Sequence, residues 1–277
     1  MSIESTRRAF LGGAAGLLAA RAPSGAAPIE DPPNLFKLGV ATYSLRKFSR
    51  SEAIQMTQQL KTPYVSVKEF HLRNSSTPEE LEQGRKEFEA GGLKIMSGGN
   101  ISLQKDDVDD LRRYFEYARR CGMPMIVCAP THQNLGKIEK LVQEYNIKIA
   151  IHNHGLTDKN FATPQSVLEA VKDLDPRCGL CFDMGHTAET GVELIESLDQ
   201  AGSRLLDVHS KDLWDKRSEA NQCDVGEGVL PIVRVFRQLK KMDYRACVNL
   251  EYEIHPENPL AGMLKSMSYM RGVRDAL

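Results

Sequence analysis

The sequence predicts a single α/β domain built as a (β/α)8 TIM barrel. After about Pro33, eight apolar strand-like runs alternate with helical patterns. Their span of about 240 residues suits eight β-α units. The His, Asp, Glu and Lys residues capable of chemistry gather at the C-terminal ends of the later runs, which is where barrels of this type carry their active sites.

The first 27 residues read as a targeting segment and take no part in the fold. Thr6-Arg7-Arg8-Ala9-Phe10-Leu11 matches a twin-arginine pattern, a weakly apolar stretch follows to Ala20, and small residues at Ser24-Gly25-Ala26-Ala27 suit cleavage. The expected location is therefore periplasmic, or otherwise exported by the twin-arginine route.

The barrel is expected over residues 34–277, with strands at Lys37–Tyr43, Tyr64–Phe70, Leu93–Gly98, Met125–Ala129, Ile147–Asn153, Gly179–Met184, Leu205–His209 and Ala246–Tyr252. Most are continuous apolar runs, as expected of a parallel sheet covered by helices. Thr77-Pro78-Glu79-Glu80 starts a helix with an N-cap, a proline and first-turn acids, and Thr163-Pro164 repeats the device. Helical spacing also runs from Asp106 to Arg120, from Pro164 to Leu174 and from Ile232 to Met242, the last ending in Lys240-Lys241 where cations suit a C-terminus. An open doubly wound sheet would carry a glycine-rich phosphate turn after its first strand, and Gly39-Val40-Ala41-Thr42-Tyr43 supplies none.

Composition narrows the function. With 277 residues, 41% hydrophobic and 26% charged, the chain is ordinary for a globular protein, and its net charge of -1 gives no reason to expect nucleic acid as partner. Beyond the N-terminal segment no apolar run nears the roughly 20 residues of a membrane span. The six cysteines fall mostly in apolar runs and read as small core residues. Cys178 and Cys181 lie three apart on one strand, so they point to opposite faces and do not share a metal.

Four consecutive strand ends are polar: Ile151-His152-Asn153-His154-Gly155, Phe182-Asp183-Met184-Gly185-His186, Val208-His209-Ser210-Lys211-Asp212 and Leu250-Glu251-Tyr252-Glu253. Burying such groups is costly unless they pair or bind a metal. Imidazole and carboxylate together suit one divalent ion, of the Mn, Co, Zn, Mg or Fe kind. Alternation puts His152 with His154, His209 with Lys211, and Glu251 with Glu253 on shared faces. Asp183, His209 and Glu251 are the expected ligands, with His152 as a fourth or as an imidazole just behind them.

These strings resemble the xylose-isomerase-like sugar phosphate isomerase/epimerase superfamily, most nearly its twin-arginine-exported members. Ile-His-Asn-His-Gly, Asp-Met-Gly-His, His-Ser-Lys-Asp, Gly-Glu-Gly and Leu-Glu-Tyr-Glu occur in the family's order across the chain after the signal. The resemblance implies a barrel with one divalent metal held from strands five to eight, Asp183, His209 and Glu251 at ligand positions, and His186 in contact with substrate. One departure stands out. Ketose epimerases of the family place a glutamate where this chain has His152, and use it with the eighth-strand glutamate as paired acid-base groups. An imidazole there favours chemistry with one carboxylate base.

The expected reaction is proton transfer beside a carbonyl of a small carbohydrate or keto-sugar, as in an isomerase or epimerase. The ion polarises the carbonyl, Glu251 or an unligated His152 exchanges the carbon-bound proton, and Lys211 supplies positive charge. His154 and His186 position hydroxyls, with His154 alternatively capping its loop and Lys211 alternatively paired with Asp212. Among earlier strands, His71 is a further substrate contact or a loop residue, and Asn100 is a weaker candidate. Gly226-Glu227-Gly228 shapes the loop after strand seven, and Trp214 stacks on a sugar or packs that loop. The alternatives are a lyase or hydratase on a keto-sugar or polyol, and a carbohydrate-binding barrel without catalysis. An abasic-site endonuclease shares this fold but takes ligands from strands two to four, and Cys128-Ala129-Pro130 offers none. The oligomeric state is left open.

Overall fold

The computed structural model describes Pro32 and residues 34–277. The targeting segment expected at residues 1–27 lies outside the described residues.

Eight parallel strands close into a barrel: β1 (Lys37–Ala41), β2 (Tyr64–Val67), β3 (Lys94–Leu103), β4 (Met125–Pro130), β5 (Lys148–His152), β6 (Cys178–Asp183), β7 (Leu205–Ser210) and β10 (Cys247–Leu250). β10 closes the ring by pairing with both β1 and β7. Between β7 and β10 sits a short antiparallel pair, β8 (Asp212–Leu213) and β9 (Gln222–Cys223). The surrounding helices are α1 (Arg50–Gln59), α2 (Pro78–Ala90), α3 (Val108–Arg120), α4 (Leu135–Tyr145), α5 (Pro164–Val171), α6 (Met184–Glu189), α7 (Leu194–Ala201), α8 (Ile232–Lys241) and α9 (Leu260–Asp275).

Strand alternation sorts the residues into two compartments. Outward side chains such as Val40, Ile126, Ile151, Phe182, Val208 and Leu250 form the main core with the helices. Met125, Val127, Ala150, Cys181 and Leu206 form a small separate cluster inside the barrel. The helix starts follow their caps: Thr77 accepts from the Glu80 N–H while Glu80 reaches back, and Asp107 accepts from the N–H groups of Asp109 and Asp110. Thr163 caps α5 in the same way.

Four strand ends lie two or more residues from expectation, among them the last, which stops at Leu250 rather than Tyr252. The first run ends at Ala41 and the second at Val67, because Thr42 Oγ1 ties the two ends together: it accepts from Lys68 N–H at 2.8 Å and meets His71 Nδ1 at 3.0 Å. The third run continues past Gly98 to Leu103. Its register against β4 shifts between Gly98 and Ile101, and the bulge carries the strand through the glycine pair. Gly99 has φ +149°, and a Cβ there would lie 2.1 Å from the Val127 carbonyl oxygen.

Candidate metal centre

The last inward-facing positions of β5, β6 and β7, and the residue just after β10, are His152, Asp183, His209 and Glu251. All four are buried, and one ligand atom from each lies within 4.8 Å of the others. His152 Nε2 is 3.4 Å from Asp183 Oδ2, His209 Nδ1 is 3.9 Å from that same oxygen, and His209 Nδ1 is 3.0 Å from Glu251 Oε2. Asp183 pairs with His209 across β6 and β7, while His152 pairs with Cys181, one inward step below Asp183, so the four side chains converge from neighbouring layers of the barrel.

Neighbouring polar groups fix this arrangement. Asp183 caps α6 by accepting the His186 N–H at 2.8 Å on Oδ1, which leaves Oδ2 for the cluster. Asn153 turns away from His152 and accepts the Asp183 N–H at 2.9 Å. Gln222 of β9 donates to the Glu251 carbonyl at 2.9 Å and accepts the Glu253 N–H at 2.6 Å. Lys211, buried just beyond β7, places Nζ 3.2 Å from Asp183 Oδ2, 3.2 Å from Glu251 Oε2 and 3.0 Å from Glu253 Oε2. It passes over Gly185, where a Cβ would fall 2.5 Å from Lys211 Cδ.

Charge follows from this packing. Burial works against ionised Asp183 and Glu251, but Lys211 and the nearby imidazoles outweigh it and hold both carboxyls below their usual range. Burial pushes His152 down to about 4, so its ring is neutral near pH 7. Burial also opposes charge on His209, yet Cys181 and Glu251 lift its value well above 6.5.

The donor set fits a divalent ion. Both ring nitrogens of His152 are buried without a hydrogen-bond partner, a costly condition that coordination through one of them relieves in part. Two carboxylates and two imidazoles suit Zn, Mn, Co or Fe.

A cavity of about 350 Å³ opens above the donors, lined by Tyr43, Lys68, Asn100, Ser102, Ala129, His152, His154, His186, Glu251 and Glu253. The His154 and His186 rings lie 4.5 Å apart between centroids, and His186 Nδ1 is 3.3 Å from Glu189 Oε1. Asn100 is in the wall, where its carbonyl accepts from Lys68. His71 is not in that wall. It is buried against Thr42 because the chain turns after Val67, which removes the alternation that would have aimed it inward. Lys68 faces the cavity instead. Lys211 pairs with carboxylates of the cluster, and Asp212 binds backbone N–H groups of the loop at Gly226 and Gly228. Trp214 is 59% exposed. Tyr43, Ser102, Gln222 and Glu189 went unremarked as site residues in the sequence: Tyr43 follows β1, Ser102 lies past the bulge of β3, Gln222 is in the short β9 and Glu189 ends the short α6.

A closed parallel α/β barrel with acid, imidazole and amine groups at one rim defines a class of protein whose chemistry is carried on strand ends. The chain belongs to the Xylose isomerase-like TIM barrel family, which it matches over residues 52–273. An inosose dehydratase of Histophilus somni is 26% identical over 161 residues, covering 51% of this chain and 53% of that protein. The chain spans about half the length of the curated relatives it matches. Among solved structures, the IolI protein with a bound zinc atom superposes with a TM-score of 0.71 at 17% identity, covering 87% of this chain and 99% of that one. The 3-keto-D-glucoside 4-epimerase YcjR from E. coli gives a TM-score of 0.71 at 15% identity, covering 86% and 99%. Among the described residues no helix is long and apolar enough to cross a membrane.

Proposed function

We propose that this chain is a metal-dependent enzyme that moves a proton beside a carbonyl of a small carbohydrate or keto-sugar, as an isomerase or epimerase does. One observation carries the proposal: His152, Asp183, His209 and Glu251 converge at the floor of a polar cavity. A divalent ion held by these four residues supplies Lewis acidity at the carbonyl and its neighbouring hydroxyl. Glu251, kept ionised by Lys211 and His209, accepts and returns the proton on carbon. Lys211 sets positive charge beside the reacting oxygens. His154 and His186 bind hydroxyls.

A second reading, dehydration of a keto-polyol, is favoured by His152. The neutral imidazole leaves Glu251 as the one carboxylate of the cluster facing the cavity from the metal layer, which suits a one-base elimination better than a symmetric two-base epimerisation. The inosose dehydratase relatives point the same way. The test is incubation of the Mn-, Co- or Zn-loaded protein with keto-sugars, aldoses and inososes in deuterated water, followed by NMR. Deuterium at the carbon beside the carbonyl, abolished in Glu251→Gln, is expected. New olefinic or deoxy products would select dehydration. Binding without exchange or turnover across the panel would reject both and leave a carbohydrate-binding barrel.

We also propose twin-arginine export, on the strength of Arg7-Arg8 with Phe10-Leu11. Lysines at both arginine positions should leave the protein in the cytoplasmic fraction, and unchanged export would refute it.

A further inference from the structure

Cys181 occupies the inward face of β6 one step below Asp183, in register with His152 on one side and with Asp207 on the other. Its sulfur and one nitrogen each from His152 and His209 form a second cluster of donor atoms within 4.8 Å of one another, all buried. The nitrogens on that cluster are short of partners: both ring nitrogens of His152, and Nε2 of His209, are buried without hydrogen bonds. Cys178, three residues earlier, lies in the outer core with the helices, so the two cysteines serve different compartments. The two imidazoles therefore belong to two donor sets at once. One is completed by the Asp183 and Glu251 carboxylates toward the cavity, and the other by a thiol toward the barrel interior.

We propose that Cys181 is a ligand for thiophilic divalent ions in this barrel, so that the metal centre has a hard, carboxylate seat and a soft, thiol seat sharing His152 and His209. This rests on the metal-binding reading above. Soft sulfur donors select zinc and cobalt, whereas carboxylate oxygen suits manganese and magnesium. A metal–sulfur bond forms at the cost of the S–H bond, and the proton leaves to solvent with no change of oxidation state. Selection among ions is then made by Cys181, which leaves the carboxylates free for chemistry on the substrate side.

The experiment loads the full chain with one equivalent of Co2+ and records its absorption spectrum, alongside Cys181→Ser and Cys181→Ala. An intense thiolate-to-cobalt charge-transfer band in the near ultraviolet is expected in the parent and absent from both variants. Competition between Zn2+ and Mn2+ in the same proteins should show the variants losing zinc preference by roughly ten-fold or more, at least what outer partners of a metal command. Cobalt bound stoichiometrically without the band, or an unchanged zinc-to-manganese preference in both variants, would overturn the thiol seat while leaving the carboxylate centre intact. No cobalt uptake by the parent protein would overturn both.

Discussion

His209 presents Nδ1 to Glu251 Oε2 at 3.0 Å, a contact that holds a proton where a metal would need a lone pair. Burial alone would strip the ring of charge, but Cys181 and Glu251 raise its pKa well above 6.5. Because the folded value is raised, this pair stabilises the metal-free protein fully below the unfolded value, and the gain is lost as pH rises through the folded one. Metal affinity runs the opposite way and climbs with pH. His152, pushed down to about 4 by burial, has no proton to lose. Uptake of Mn2+ at pH 7 should therefore expel about one proton from the imidazoles. Calorimetric titration in two buffers of different ionisation enthalpy counts it, and identical heats would mean His209 does not ligate.

Lys211 is the second point of control. Its ammonium lies 3.2 Å from Asp183, 3.2 Å from Glu251 and 3.0 Å from Glu253. In the metal-free protein, Lys211→Met strands buried negative charge and should cost about 3–5 kcal/mol. Mn2+ should recover part of that loss, since the ion neutralises the same carboxylates. Urea unfolding with and without Mn2+ measures both numbers. Equal losses in the two forms would show that Lys211 and the metal compensate different charges.

The strands were legible in the sequence as continuous apolar runs bounded by polar residues, and the donors as the polar residues that alternation places on one face at their ends. His152, Asp183, His209 and Glu251 each occupy an inward position at a strand end, so an apolar run and its last polar residue were enough to find them. Of the two readings of His71 the loop one fits its place, because Thr42 ends the strand at Val67 and the chain turns there. Gly98-Gly99 looked like a stop and is a bulge, since glycine permits either and the register against β4 decides. Gln222 carried no signal at all: its position beside Glu251 depends on the β8–β9 pair, two residues on each side. Cys181 read as a small core residue, and it packs as one in the inner cluster with Met125, Val127, Ala150 and Leu206.

Asp207 sits one step below His209, with Asn249 Nδ2 donating to it at 2.7 Å and Ser97 Oγ at 3.1 Å. Burial raises its pKa to about 6, against which His209, the Val208 N–H, Ser97 and Asn249 pull downward. The sign follows directly. A folded value above the unfolded 3.8 means a contribution present at low pH and lost as pH rises toward and through 6. Asp207→Asn should remove that penalty, worth on the order of 2–3 kcal/mol at pH 8 relative to pH 4. Denaturant midpoints of both proteins across that range provide the measurement. Parallel pH profiles would mean Asp207 titrates alike in the folded and unfolded chain.

Asp212 tests whether the loop after β7 is built or merely tolerated. Its buried carboxylate accepts four backbone N–H groups: Leu213 at 2.9 Å and Leu230 at 3.0 Å on Oδ1, and Gly226 at 2.9 Å and Gly228 at 3.1 Å on Oδ2. The glycines are required by this clamp. Gly226 has φ +100°, and a Cβ on Gly228 would lie 2.3 Å from Asp212 Oδ1. Asp212→Ala orphans all four donors, each worth about 1–3 kcal/mol if it stays dry. Water entering the loop relieves much of that, so a net loss on the order of 3 kcal/mol is expected. Asp212→Asn keeps one acceptor oxygen and should fall between the two. Hydrogen exchange at Gly226, Gly228 and Leu230 should accelerate in the same order, while Mn2+ stoichiometry stays constant because Asp212 is not part of the His152, Asp183, His209 and Glu251 cluster. Protected amides in Asp212→Ala would show that the turn holds its shape without the carboxylate.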